Sequence, residues 1–238
     1  MLIIAHYKLI ALYCMSTPVS NAQYAVLTGD IVNSSKLNVT ERETLLRSLT
    51  SLFDKDQEGS ENDLKLKVTF EIYRGDSFQS LLDIPQQALR IALIIRTYLQ
   101  SQVSIDDRLI ASDARIAIGI GSVDSVTATL AESNGEAFRF SGRLLDTLKK
   151  EPNQIAIKSR QQTLDDELNT ALVLLEGIIG KWTALQAEVV YYKLQNHTEV
   201  HIAELLKVKQ PAINQRAKAA SWVAIERLLI RFQDLLTP

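Results

Sequence analysis

The chain has 238 residues, of which 46% are hydrophobic and 23% charged, a composition typical of globular proteins and unlike that of disordered chains. Its net charge of −2 is too close to neutral to indicate a polyanion partner for the whole protein, but residues 181–238 carry eight Lys/Arg against five Asp/Glu. The single cysteine, Cys14, excludes an internal disulfide and a thiolate zinc site, and it predicts a reducing, cytoplasmic compartment.

The apolar opening of the chain, residues 1–21, is predicted to be a poorly ordered or overextended start, because Met15 begins an ordinary polar stretch. A weak signal peptide and an amphipathic docking segment are the alternatives. The apolar run is too short for a spanning helix and no basic region precedes it. No later run reaches the length of a membrane helix, so no membrane partner is expected.

The next predicted elements are a strand, a helix and a hairpin. A short apolar run predicts a strand over residues 23–28. Leucines at helical spacing predict a helix over residues 40–54, which Thr40 and Glu43 would begin as a capping box. Two strand-like runs, "LKLKVTFEIY" and "DSFQSLLDI", are separated only by "RG", so a hairpin is predicted there.

A second strand–helix series completes the N-terminal part. Pro85 opens a predicted amphipathic helix, and "ARIAIGIGSV" predicts a buried strand. A helix over residues 135–150 and the short strand "QIAIKS" follow. The order is β-α-β-β-α-β followed by α-β, which is the split β-α-β, ferredoxin-like plan of an α+β domain. We expect this domain to span residues 22–160.

Two aspartates follow glycines at positions that this plan brings together. The first strand of a split β-α-β sheet lies beside the strand that follows the hairpin, so Asp30 and Asp76 are expected to meet at one corner. Two such carboxylates and a nucleoside triphosphate supply the hard oxygens that Mg²⁺ or Mn²⁺ binds. An Asx-turn or capping role is the alternative for each aspartate.

Beyond residue 159 the pattern is helical throughout, which predicts an all-α domain over residues 161–238. Thr198 is predicted to cap a short helix, and Pro211 to lie in the first turn of a long helix over residues 211–236. The two helices form a predicted helix-turn-helix, supported by the helix over residues 183–194. A plain helical bundle that dimerises or packs on the first domain is the alternative.

A helix-turn-helix places the start of its second helix in the major groove, and this predicts which residues contact DNA. The predicted base contacts are Gln210, Asn214 and Gln215, and the predicted phosphate contacts are Lys207, Lys209, Arg216 and Lys218. Lys207 stands where such turns usually have glycine, and a left-handed lysine costs about 1 kcal/mol. His197 and His201 are assigned to capping and surface roles, because the sequence offers no third zinc ligand.

Four segments resemble motifs of class III nucleotidyl cyclases in the same order: "TGDIVNSS", "YRGDSF", "ARIAIGIGSV" and "GEAFRFSGRLLD". The whole chain resembles the SatD-like family, which pairs such a domain with a helical C-terminal part. That C-terminal part is similar to the helix-turn-helix of sigma-factor region four. Cyclase sites form across a dimer, so the resemblance also implies a homodimer.

The cyclase resemblance implies roles for individual residues. Asp30 and Asp76 match the metal-binding aspartates, and the Ile31 backbone matches the carbonyl that touches the metal. Arg143 matches an arginine that steadies phosphate charge, and Arg139 stands where cyclases carry a transition-state asparagine. The remaining nucleotide contacts are assigned to Asn33, Ser34 and Arg74, although the base-selecting lysine of cyclases has no clear counterpart.

These features together predict a cytoplasmic DNA-binding regulator. Its cyclase-like domain would bind a metal-nucleotide, and its helix-turn-helix would bind DNA. The main alternative is an active metal-dependent nucleotidyl cyclase or nucleotidyltransferase that uses the helical tail for assembly. A structural adaptor that uses neither site is the third possibility.

Overall fold

The computed structural model describes residues 23–34, 37–53, 68–73, 75–101, 103–105, 108–110 and 112–237, with the backbone alone for 103–105 and 108–110. The predicted start segment, Cys14 and Arg74 lie outside the described residues. No helix within the described ranges is both long and apolar enough to cross a bilayer.

The elements follow the chain in this order. The strands are β1 (Tyr24–Val32), β2 (Val68–Tyr73), β3 (Ser77–Leu82), β4 (Val103–Ile105), β5 (Arg108–Ile110), β6 (Asp113–Gly121), β7 (Val123–Ser125), β8 (Asn134–Gly135) and β9 (Ile155–Lys158). The α-helices are α1 (Val39–Ser51), α2 (Ala88–Gln100), α3 (Glu136–Leu148), α4 (Gln162–Ile179), α5 (Ala184–Leu194), α6 (Glu199–Leu205), α7 (Gln210–Ala219) and α8 (Trp222–Leu236). Short 3-10 helices span Pro85–Gln87 and Leu130–Glu132.

The main sheet has the strand order β2-β3-β1-β6-β9. β1 pairs antiparallel with both β3 and β6, and β9 runs parallel to β6. Since β3 lies between β1 and β2, this is the split β-α-β arrangement, and the predicted α+β, ferredoxin-like fold is confirmed. The predicted adjacency of the first strand and the strand after the hairpin is confirmed with it.

Helices cover both faces of the sheet. Alternate β1 residues such as Leu27 and Ile31 are buried in the core that contains α1 and α2, whereas Val26 is buried in a separate cluster with α3 residues. α3 approaches β6 closely at Gly119, where a Cβ atom would lie 2.2 Å from the Ala137 carbonyl oxygen. The absence of a side chain at this position therefore lets α3 pack against β6.

α2 is the most deeply buried helix of the described chain. The sequence predicts an amphipathic helix here, but ten of its residues are buried, because β1 and β6 pack on one side and α5 and α8 on the other. One apolar cluster therefore contains sheet residues such as Ile118 together with Leu172 of α4 and Phe232 of α8. The predicted domain boundary near residue 160 stays a prediction, but the strands do end at Lys158.

An ion-pair network lies within the buried surface of α2. Arg96 is 1% exposed and donates to both carboxylate oxygens of Asp113, at 2.8 and 2.7 Å, and to Glu176, at 2.5 Å. Burial alone lowers the pKa of Arg96, but the hydrogen bonds and charges of Asp113 and Glu176 outweigh it and raise that pKa. Arg96 thus joins the start of β6 to α4.

Two local predictions about helix ends are wrong. The cap of α1 lies two residues earlier than expected, because Asn38 and Glu41 form the capping box in place of Thr40 and Glu43. The long C-terminal helix is interrupted, because Ser221 has φ 59° and separates α7 from α8. No glycine or proline marks that interruption in the sequence.

The turn between α6 and α7 forms a Schellman motif. Val208 N donates to the Ala203 carbonyl at 3.0 Å, and Lys207 N donates to the Glu204 carbonyl at 3.2 Å. Lys207 occupies the left-handed position of this motif, with φ 53°. The predicted left-handed lysine is therefore confirmed, and so is the capping of α6 by Thr198.

Replacing Lys207 with glycine is expected to stabilise the protein by about 0.5 to 1 kcal/mol, because glycine adopts positive φ without a Cβ clash. Urea denaturation followed by circular dichroism measures the effect. Lys209→Gly removes the same charge where φ is −81°, so it relieves no strain and serves as the control. Equal midpoints for the two variants would contradict the prediction.

Candidate metal-nucleotide corner and helical surface

The end of β1 holds Asp30 among cations. Its Oδ2 atom lies 3.5 Å from Arg115 Nη1 and 3.8 Å from Lys149 Nζ, and the side chain is 13% exposed. Its other oxygen, Oδ1, is buried and accepts no hydrogen bond from any described residue. Arg115 Nε is also buried without a hydrogen-bond acceptor in the described part of the chain. A buried acceptor and a buried donor without partners are what a bound group could satisfy.

The hairpin turn brings Asp76 to the same corner of the sheet. Ile31 N donates to the Asp76 carbonyl at 3.1 Å, directly beside Asp30 in the chain. The Asp76 side chain accepts a short hydrogen bond from Ser34 Oγ in the loop after β1. Left-handed backbone at Asn33, φ 60°, and at Gly75, φ 78°, shapes this loop and the turn. The corner therefore contains both aspartates and three of the predicted nucleotide contacts.

Whether a divalent cation fits this corner depends on the oxygen ligands that the corner offers. Among the described residues there is no group of three His, Cys, Asp or Glu side chains arranged to hold a metal. Asp30 and Asp76 offer two carboxylates, each with one oxygen already occupied by a protein group. Mg²⁺ is commonly held by one or two carboxylates together with waters and substrate phosphates. The corner suits a cation that arrives with phosphate better than a cation alone.

Sequence reasoning missed Arg115 and Lys149. Arg115 is the direct cross-strand partner of Asp30 in the β1–β6 register. Opposite charges at directly opposed positions of an antiparallel pair are a known stabilising pattern. That register, had it been worked out from the two buried runs, is the signal that could have identified Arg115. Lys149 follows α3, and its position depends on how that helix crosses the sheet.

The two arginines predicted on α3 lie away from Asp30 within one chain. Arg139 is exposed and contacts Asp124 Oδ2 at 3.5 Å and Asn134 Oδ1 at 3.2 Å. It precedes Lys149 by ten residues, or about 15 Å along the helix axis. Arg143 is exposed as well and precedes Lys149 by six residues, about 9 Å.

A cleft of about 470 Å³ opens beside the same β1–α1 loop. Its lining includes Asn33 just after β1, Gln100 of α2, Ser112 and Asp113 at the start of β6, and Trp182 of the α4–α5 connection. Of the predicted nucleotide contacts among the described residues, Asn33 alone lines this cleft. The cleft therefore lies where the sheet and the C-terminal helices meet.

Helices α5, α6 and α7 pack around a small apolar cluster of their own. Its buried members are Val189, Ile202, Ala203, Ile213 and Ala217. The opposite side of α7 and of the preceding turn is exposed. Among the predicted DNA contacts, the exposed residues are Lys207, Lys209, Gln210, Gln215 and Lys218, and the partly buried ones are Asn214 and Arg216.

Two acids lie close to this surface. Glu199, at the start of α6, accepts hydrogen bonds from Gln210 and Asn214. Burial raises the pKa of the Glu188 carboxyl on α5, and the positive charge of Arg216 acts in the opposite direction. The charge of Arg216 therefore interacts with Glu188 inside the protein. The exposed Lys207, Lys209 and Lys218 make the outer surface of α7 and its preceding turn basic.

Three solved structures are similar to this chain at low sequence identity and with TM-scores below 0.5. The GGDEF domain of FimX from Pseudomonas aeruginosa has a TM-score of 0.44 and 11% identity, with 65% of this chain and 92% of that chain covered. A sensory box/GGDEF family protein from Caulobacter crescentus has a TM-score of 0.42 and 14% identity, with 60% of this chain and 89% of that chain covered. The active GGEEF domain of a diguanylate cyclase from Vibrio cholerae has a TM-score of 0.39 and 14% identity, with 67% of this chain and 90% of that chain covered.

The family of the chain is given by its sequence. No curated protein matches it. The model of the SatD family matches residues 24–228, which includes the sheet, α2 and nearly all of the C-terminal helices. The chain therefore belongs to the SatD family.

Proposed function

We propose that the protein is a DNA-binding regulator that is controlled by a metal-nucleotide. The nucleotide binds at the corner formed by Asp30 and Asp76, and DNA binds at the exposed side of α7. The observation that carries the proposal is the Oδ1 atom of Asp30, which is buried and has no hydrogen-bond partner among the described residues, beside the hairpin that delivers Asp76. The proposed compartment is the cytoplasm, where both the metal-nucleotide and DNA are present.

At the corner, Asp30 and Asp76 would hold Mg²⁺ or Mn²⁺. Such a cation supplies positive charge that neutralises the phosphate oxygens of a nucleoside triphosphate or a related nucleotide. Arg115 contributes a buried N–H that has no acceptor in the described part of the chain, and Lys149 contributes an exposed ammonium, so both favour phosphate. Ser34 keeps Asp76 in place through its hydroxyl.

A homodimer is part of the proposal. Arg139 and Arg143 lie on an exposed face of α3, away from Asp30 of their own chain. A second copy that presents its corner to this face would bring them to the nucleotide. Two copies also supply two α7 helices, which is the arrangement that symmetric DNA sites require.

DNA binding would use the basic turn and the exposed side of α7. Lys207, Lys209 and Lys218 are exposed and suit phosphates, while Gln210 and Gln215 are exposed and suit base edges. The core that joins sheet and helices gives nucleotide occupancy a route to this surface. Arg96 belongs to that route, since it bonds to Asp113 at the start of β6 and to Glu176 on α4.

Fluorescence anisotropy of a labelled duplex across a salt series tests the DNA function. The three exposed lysines predict a slope of log affinity against log salt of about −2.7 per protomer, since each phosphate contact contributes about −0.9. Lys218→Gln is expected to reduce the slope by about 0.9, whereas Lys150→Gln, at the end of α3, leaves it unchanged. Manganese and nucleotide together are expected to change the affinity at least about fivefold. Absent or salt-independent binding would refute the DNA function.

An active nucleotidyl cyclase or nucleotidyltransferase is the second candidate. It is favoured by the exposure of Arg143, which matches the cyclase arginine that steadies phosphate charge, whereas Arg139 stands in place of the transition-state asparagine. Incubation with Mn²⁺ and each triphosphate, followed by chromatography, tests it. A cyclic or oligomeric product that disappears in Asp30→Ala supports the enzyme, and unchanged triphosphate supports the regulator.

A further inference from the structure

A carboxylate stands between the two helices of the proposed DNA-binding motif. The Glu199 carboxylate accepts from Gln210 Nε2 at 2.7 Å and from Asn214 Nδ2 at 3.2 Å. Lys193 of α5 lies 3.6 Å from its other oxygen, and the Glu199 side chain is 23% exposed. Two side chains of α7 and one of α5 therefore bind this carboxylate, and the positions of these three side chains depend on it.

The acceptor character of Glu199 fixes how the two amides are turned. A carboxylate can only accept, so the NH₂ groups of Gln210 and Asn214 face Glu199, and their carbonyl oxygens are turned away from it. The two residues are four apart on α7 and therefore share one side of the helix. Both belong to the surface proposed to enter the major groove.

Amide orientation decides which bases can be recognised. In the major groove, adenine and cytosine present exocyclic amino groups, whereas guanine and thymine present keto oxygens at the corresponding positions. An amide oxygen accepts from an amino group and repels a keto oxygen. We infer that Glu199 is a positioning residue that makes Gln210 and Asn214 prefer amino-bearing bases, an inference that rests on the proposed DNA binding.

Charge and position are separable at this site. Glu199 carries a negative charge towards the duplex, so its removal raises affinity for every sequence, whatever it does to the amides. Glu204 provides the matched control, because it is another acid of α6, with 72% side-chain exposure, and it lies 3.8 Å from His201 Nδ1 rather than against α7. Removing Glu204 changes charge and leaves both amides of α7 in place.

The experiment selects binding sites from a randomised duplex pool with the full chain. Wild type, Glu199→Ala, Glu199→Gln and Glu204→Ala are compared, and anisotropy then measures the selected duplex against duplexes changed at single positions. Gln215→Ala removes a proposed base contact that Glu199 does not touch. Thermal melting establishes that each variant is folded.

Wild type is expected to select adenine or cytosine at the positions read by Gln210 and Asn214, with about tenfold discrimination against guanine or thymine. Glu199→Ala loses that discrimination, because the amides can turn over. Glu199→Gln retains it through its own amide oxygen, and Glu204→Ala retains it while binding all duplexes more tightly. Unchanged discrimination in Glu199→Ala overturns the inference. Failure of wild type to bind any duplex overturns the proposed DNA function itself.

Discussion

Asp76→Asn is expected to weaken manganese-dependent nucleotide binding by about 100-fold, because the substitution removes one of the two anionic ligands available to the cation. Isothermal titration with and without Mn²⁺ measures the effect. The metal-free affinity is expected to change far less, since Arg115 and Lys149 do not depend on Asp76 for their position. The loss is therefore specific to the titration that contains metal.

Asp83→Asn is the matched control for this variant. Asp83 is an exposed acid just after the other end of β3, so the substitution removes the same charge from the same strand. Ser34→Ala is expected to give an intermediate loss, because it frees the Asp76 side chain without removing it. If Asp76→Asn and Asp83→Asn bind the metal-nucleotide equally well, the shared corner is not the site.

Asp30→Asn is expected to separate a metal site from a plain anion site. The substitution removes the charge that Arg115 and Lys149 compensate, so both cations become available to phosphate. Nucleotide affinity without metal should then rise, while the gain on adding Mn²⁺ should disappear. Asp76→Asn shows only the second of these effects, because Ser34 rather than a cation holds its side chain.

The sequence predicts the topology of the sheet but not the charges around its corner. Alternating and buried runs identify β1, β3 and β6, and the split order alone places Asp30 beside the hairpin. Arg115 and Lys149 escape this reasoning because they require the pairing register and the crossing of α3 over the sheet. A local pattern fixes which elements exist, whereas contacts across elements depend on packing.

The C-terminal helices show the same limit at single residues. Thr198 and Pro211 signal helix starts by chemistry that is local, and both starts occur as expected. Ser221 interrupts the helix by adopting φ 59°, yet apolar residues recur at helical spacing on both sides of it. Burial of α2 on all sides could have been read from its nearly continuous apolar run, but the place of Arg96 within that run requires Asp113 and Glu176.

Arg96→Ala is expected to lower the free energy of unfolding by about 3 to 5 kcal/mol, the usual cost of removing one partner from a buried ion pair. Asp113 and Glu176 would be left without the cation that compensates them. Urea denaturation followed by circular dichroism measures the change. Arg47→Ala, on the exposed side of α1, removes a positive charge that has no buried partner among the described residues, and it is expected to change stability by less than about 0.5 kcal/mol. Similar losses in both variants would show that the network is not stabilising.

A triple variant distinguishes stability from communication. Arg96→Met with Asp113→Asn and Glu176→Gln removes all three charges together, so no buried charge is left uncompensated and much of the lost stability should return. Asp113 then no longer has a charged tie to α4 through Arg96. If Arg96 couples the corner to α7, this folded variant binds nucleotide and DNA separately, and nucleotide no longer changes its affinity for DNA. Retained coupling in the triple variant would place the route in the apolar contacts of α2 with α5 and α8 rather than in Arg96.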